Sequence, residues 1–200
     1  MKMKQTINSI AVFCGASTGT NPIYKEVAKA LGQYFATHQI TLVYGGGKIG
    51  LMGTIADAVM ANKGKVIGVI PELLRHEEVI HTAITEMIIT QTMSARKIAI
   101  SKRVDGYIIL AGGFGTLDEL FEALTLGQLT IENKPVGILN TNGFYNHTLK
   151  QLDRMVADGF LKQANRDMLL IAETIPELIT KMENYTAPPI GKVINTVATR

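Results

Sequence analysis

The feature that most constrains this chain is the alternation of short, β-branched apolar runs with segments of helical period, with glycines standing repeatedly at the junctions. The runs at 7–14, 40–44, 65–70, 84–89, 106–110, 135–139 and 168–172 read as strands, short and apolar in the manner of strands buried on both faces. Segments at 22–38, 93–103, 116–129, 144–158 and 175–184, and one from just after Gly53 to Asn62, read as helices. In the first of these, Asn21 offers an N-cap and Pro22 a first helical residue. Tyr24, Val27, Ala28, Leu31, Tyr34 and Phe35 then recur on one face suited to a sheet. Pro71 is expected to end the third strand, since it has no N–H to give a neighbour. Buried strands with helices between them define an α/β fold that is Rossmann-like and doubly wound, with a mainly parallel sheet and helices on both faces.

Composition narrows the class. The 200 residues are 46% hydrophobic and 18% charged, which suits one core of ordinary size. No repeat or linker divides them, so residues 1–186 are expected to form one domain, with a loosely held tail over 187–200 that begins at Ala187, Pro188 and Pro189. A net charge of +3, with basic clusters no longer than Lys102-Arg103, argues against nucleic acid or a membrane as partner. The single cysteine, Cys14, cannot close an internal disulfide, and no Cys/His spacing matches a zinc site. His76-Glu77-Glu78-Val79-Ile80 has isoleucine where a zincin motif needs its second histidine, so no metal is expected. No apolar run approaches membrane-spanning length and no export signal is evident, which points to the cytoplasm.

In an open α/β sheet, ligands bind beyond the carboxyl ends of the strands, so the strand-to-helix loops are where chemistry belongs. The loop Leu110-Ala111-Gly112-Gly113-Phe114-Gly115-Thr116 lets backbone approach an anion at a helix N-terminus, and phosphate is the natural guest. A tight turn explains the same glycines. Thr116 and Glu119 also fit a T-x-x-E capping box, a purely structural role. Against that, Asp118 and Glu119 would crowd two carboxylates beside a phosphate, which calls for cations or for a separate task for one of them. Arg96 and Lys97 are candidate cations, although by type alone such a pair belongs on a solvated helix face. A second loop, Gly45-x-Gly47-x-x-Gly50, matches the dinucleotide fingerprint with Glu72 onward, so an NAD enzyme is an alternative. Cys14 closes a strand with nothing nearby to activate it.

Together these motifs resemble the Lonely Guy (LOG) family, often labelled lysine decarboxylase-like. The family's P-G-G-x-G-T-x-x-E stands here as Ala111-Gly112-Gly113-Phe114-Gly115-Thr116-Leu117-Asp118-Glu119, and its M-H-x-R-K as Met93-Ser94-Ala95-Arg96-Lys97. Ala111 and Ser94 depart from the pattern. The loops at 14–19, 44–53, 66–71 and 134–137 are similar to the family's as well, and the likeness runs from about Ile10 to Leu178. The resemblance implies a phosphoribohydrolase that cleaves the N-glycosidic bond of a nucleoside 5′-monophosphate, a cytokinin ribotide or AMP, to free base and ribose 5-phosphate. It implies no cofactor and a homodimer with sites near the interface. It also implies catalytic roles for Arg96 and Glu119, and substrate contacts from Glu78, Lys97, Gly112, Gly113, Phe114, Gly115, Thr116 and Thr125. A carboxylate near the ribose is what the cationic transition state of such a cleavage needs. The rival reading is a non-catalytic carrier of a nucleotide or of molybdenum cofactor, which needs the phosphate loop but not Glu119 beside Arg96. Lysine decarboxylation itself lacks support, because no lysine shows a Schiff-base setting.

Overall fold

The structure, a computed structural model, describes residues 5–75 and 80–188. Its strands are β1 (Ser9–Phe13), β2 (Thr41–Tyr44), β3 (Val66–Pro71), β4 (Glu86–Thr90), β5 (Gly106–Ile109), β6 (Val136–Leu139) and β7 (Leu169–Ala172). Its helices are α1 (Ile23–Thr37), α2 (Gly50–Ala61), α3 (Met93–Ser101), α4 (Phe114–Gln128), α5 (Asn146–Ala157), α6 (Gln163–Arg166) and α7 (Ile175–Glu183). The strands form one seven-stranded sheet in the order β4-β3-β2-β1-β5-β6-β7, with every pairing parallel.

Alternation along β1 explains the double winding. Ile10, Val12 and Cys14 face one side with Leu31 and Phe35 of α1, Ile55 of α2 and Leu178 of α7. Ala11 and Phe13 face the other with Ile100 of α3, Leu120 of α4 and Leu152 of α5. A strand with period two, apolar at every position, has no solvent face to offer, so helices must cover both sides. The chain winds outward from β1 to β4, then crosses back to β5 on the other side of β1. The crevice between the carboxyl ends of β1 and β5 is therefore the switch point, where ligands bind in folds of this kind.

Several local expectations shift. The third strand ends at Pro71 as expected, with Pro71 itself included as the last residue of β3, paired with Thr90 of the edge strand. Lacking an N–H, it fits there because the ladder ends at that residue. The first helix begins one residue later than its cap signal suggests, at Ile23 after Pro22, while the Asn21 side chain accepts from the Ile23 N–H in a local turn. Helix α2 starts at Gly50, inside the glycine-rich loop rather than after Gly53, with Gly50 in the left-handed region at φ 64°. The four-residue α6 is too short to show a helical period in sequence. The 187–200 tail falls for the most part beyond residue 188 and so outside the described residues, as does Glu78.

Candidate active site

The loop after β5 is fixed from both sides. The Tyr145 hydroxyl, at the start of α5, donates to the Leu110 carbonyl at 2.7 Å, and the Gly15 N–H donates to the Ala111 carbonyl at 2.9 Å. The next loop is tied in by the Leu51 N–H, which donates to the Gly15 carbonyl at 3.0 Å. These bonds hold the loop's start where the family pattern has proline and this chain has Ala111. Gly112 is required by close approach, since a Cβ there would lie 2.1 Å from the Thr116 hydroxyl and 2.9 Å from the Gly15 nitrogen. At Gly113 and Gly115 a Cβ would meet nothing within 4 Å, so backbone here faces open space.

Helix α4 starts two residues before the expected position, and this overturns the capping box. Its N-cap is Gly113, with no side-chain cap. Thr116, buried, is already inside the helix, and Glu119 reaches instead for Arg96. The first-turn N–H groups are thus left for a ligand, with the positive end of a 15-residue helix behind them. A cleft of about 450 Å³ opens beside them at the β1/β5 switch point. Gly15 to Gly19 form one wall and Ala111 to Gly113 another. Tyr24 and Phe144 close it with rings edge to face at 5.6 Å.

Arg96 is not solvated, contrary to what its residue type suggests. It is 8% exposed: its Nε donates to the Val69 carbonyl of β3 at 3.0 Å, and its Nη1 donates to Glu119 Oε1 at 2.8 Å. Gly45 makes room, because a Cβ there would come within 2.4 Å of the guanidinium Nη2. Burial pushes the Glu119 carboxyl above the usual carboxylate range, and Arg96 and Lys97 only partly offset it. A carboxyl raised in this way is better suited to proton transfer than a free one. Lys97 bonds Asp118 at 2.8 Å and Glu122 at 3.1 Å. Asp118 and Glu122 therefore share one cation, and Glu119 keeps a buried one of its own.

Glu119, Lys97 and Ser94 also line a groove of about 400 Å³ between α3 and α4, largely apolar, with Ile98, Ala123, Leu126 and Ile131 along it. The structure brings Arg96, Lys97 and Glu119 together and sets Gly112 to Thr116 beside them. It does not bring Thr125 to them within one chain. Thr125 lies two turns along α4 on another face, in a pocket against Leu152 and Met155 of α5. Phe114 is 95% exposed at the tip of the loop.

Other candidates resolve. The glycines of the Gly45-x-Gly47-x-x-Gly50 loop are taken up by packing: besides Gly45, a Cβ at Gly50 would overlap the Ala16 backbone at 2.2 Å. Little backbone remains there for a pyrophosphate, and Glu72 pairs with Arg75. The Cys14 thiol is pushed up by burial and by the Glu119 charge, which makes it unreactive. The buried His81 ring pairs through Nε2 with Asp57 at 3.0 Å and through Nδ1 accepts from the Ala83 N–H. Among the described residues, no group of three or more acidic, histidine or cysteine side chains could hold a metal, and no helix is long and apolar enough to cross a membrane.

A parallel sheet with an uncapped, glycine-rich helix start at its switch point, and a buried carboxylate–guanidinium pair alongside, defines an α/β protein with a candidate ligand site at that crevice. Residues 52–182 match the family described as "Possible lysine decarboxylase". The chain is 42% identical over 185 residues to the cytokinin riboside 5′-monophosphate phosphoribohydrolase LOG1 of Arabidopsis thaliana, covering 92% of this chain and 87% of that protein. It is 40% identical over 195 residues to the probable phosphoribohydrolase LOGL2 of Oryza sativa subsp. japonica, covering 98% and 80%. The chain belongs to this family, the LOG family. Among solved structures, the molybdenum cofactor binding protein of Rippkaea orientalis aligns with a TM-score of 0.66 at 23% identity, over 90% of this chain and 96% of that one, a likeness of fold alone.

Proposed function

We propose that this protein is a phosphoribohydrolase: it hydrolyses the N-glycosidic bond of a nucleoside 5′-monophosphate to a free base and ribose 5-phosphate. The observation that carries this reading is the buried Arg96–Glu119 pair beside the uncapped start of α4. Gly112, Gly113, Phe114, Gly115 and Thr116 hold the 5′-phosphate on backbone N–H groups. Glu119 lies about 7 Å along the helix axis from Phe114, within reach of a ribose whose phosphate sits on the helix start. As the C1′–N bond breaks, positive charge grows on the sugar and the bonding pair leaves with the base. The Glu119 carboxylate stabilises that charge and takes a proton from the attacking water, whose oxygen bonds to C1′. Arg96 holds Glu119 in place and balances the phosphate or the leaving base, with Lys97 and Glu78 contacting substrate.

The enzyme acts as a homodimer in the cytoplasm, without cofactor, on cytokinin ribotides or AMP. Supporting the dimer, Ile98 and Ile131 are 56% and 65% exposed along the α3–α4 groove, and Met93, Phe121 and Leu129 are exposed on the same two helices and the turn that follows. Thr125 is about 9 Å along α4 and about 240° around it from Glu119, so its part in binding is to complete the site of a second copy. A carrier of nucleotide or cofactor would have no use for a buried carboxylate held ready for a proton. Incubating the protein with AMP and with isopentenyladenosine monophosphate, and measuring base and ribose 5-phosphate by chromatography, tests the proposal. Equimolar release of both products supports it and ranks the bases; nucleotide bound without release removes it.

A further inference from the structure

A second cleft, of about 430 Å³, adjoins the cleft at the β1/β5 switch point. It is lined by Lys25 and Lys29 of α1, Lys48 of the β2–α2 loop, and Thr18, Thr54 and Asp57. The two clefts share Thr18, and Gly50 and Leu51 divide between them. Its charge is unbalanced. Lys25, Lys29 and Lys48 pair with no carboxylate among the described residues, and the one acid in the lining, Asp57, is held by His81. Lys25 and Lys29 stand four apart on one helix, an arrangement of like charges that weakens a helix rather than supporting it. Lys48 extends the same positive surface from a different element.

We propose that this cleft binds a linear polyphosphate, free or as the tail of a nucleotide, in a site separate from the one that holds the nucleoside monophosphate. Three unpaired lysines on two elements match several adjacent anionic groups better than the two charges of a single phosphate. The site does not depend on the hydrolase reading, since none of its lysines belongs to the Arg96–Glu119 machinery.

Calorimetric titration of the full chain at low salt with inorganic tripolyphosphate, and in parallel with ATP, tests this. Tripolyphosphate is expected to bind, and each of Lys25→Gln, Lys29→Gln and Lys48→Gln to weaken it about tenfold, the loss of one charge-assisted hydrogen bond. Arginine at the same positions should retain binding. ATP binding more tightly than tripolyphosphate would identify a nucleotide as the source, and equal affinity would identify the phosphate chain alone; either supports the site. Saturating AMP should leave tripolyphosphate bound. Full displacement by AMP, equal binding by the triple glutamine variant, or no binding at all overturns the proposal. So does tighter binding of a short single-stranded oligonucleotide, which would make the cleft a nucleic-acid contact. A chain that fails to hydrolyse AMP yet binds tripolyphosphate through these lysines would sink the proposed reaction and leave this site standing.

Discussion

Replacing Glu119 separates chemistry from architecture. At an effective dielectric of about 20, charges 2.8 Å apart attract by about 6 kcal/mol. Both side chains are about nine-tenths buried, at 10% and 11% exposure, and desolvation cancels much of that attraction, as the raised Glu119 carboxyl shows. Glu119→Ala leaves the Arg96 guanidinium buried and uncompensated at a cost of about 3–5 kcal/mol, or about 6–20 °C in Tm for a chain of this size. Glu119→Gln keeps an oxygen for Arg96 Nη1 and loses only the charge assistance, about 1–2 kcal/mol and about 2–8 °C. Turnover should nonetheless fall about 10²- to 10⁴-fold in the glutamine variant, with AMP still bound. Differential scanning fluorimetry, calorimetric AMP binding and chromatographic product release on the two variants together decide the matter. Parental turnover in Glu119→Gln would refute the catalytic role. A glutamine variant as unstable as the alanine one would show that the pair is chiefly a structural brace.

The remaining expectations follow from neighbouring geometry. Gly112→Ala should lower stability by about 1–3 kcal/mol through overlap with Thr116 and Gly15, while Gly113→Ala leaves Tm unchanged and weakens AMP binding; thermal melts and titrations of both distinguish space from ligand approach. Burial disfavours the Glu132 carboxylate, but hydrogen bonds from Ser101 and Tyr107 and the Lys134 charge outweigh it and hold its pKa below the usual range. Its stabilisation is therefore present above the ordinary glutamate range and lost as pH falls through the lowered value. Glu132→Gln should cost about 2 kcal/mol at neutral pH, with the Tm difference closing on acidification; a difference independent of pH would contradict this. Ile98→Asp with Ile131→Asp should convert a dimer to a monomer in light scattering, and an unchanged mass would remove this face from the interface.

Much of the fold was legible because parallel strands with two dry faces leave a plain signature of short apolar runs, and because glycine marks the loops that follow them. What sequence could not resolve lay in long-range partners. Thr116 and Glu119 have the spacing of a capping box, yet the helix begins at Phe114, since glycine-rich backbone can enter a helix without a side-chain cap. Arg96 looked solvated because nothing local to it signals burial. Its acceptor lies 27 residues back at Val69, its ionic partner 23 residues on at Glu119, and its space is granted by the missing Cβ of Gly45. The Gly45-Gly46-Gly47 run was that signal, read as a cofactor loop instead. Thr125 shows the complementary limit: it stands apart from Arg96 and Glu119 within one chain, in a pocket against Leu152 and Met155.

The bond from Arg96 Nε to Val69 gives the site a mechanical character. Arg96 is anchored on β3, on one side of the crossover, while Glu119 rides on the helix that follows β5, on the other. The pair acts as a tie-rod across the seam where the strand order reverses, and it exists only while both halves of the molecule are drawn together. Partial opening of the β3–β4 side, of the kind native proteins undergo well below global unfolding, would pull the guanidinium away with its strand. The pair in such an arrangement is an all-or-none report on the assembled sheet, and a fraying outer edge would part it long before the helical content changed.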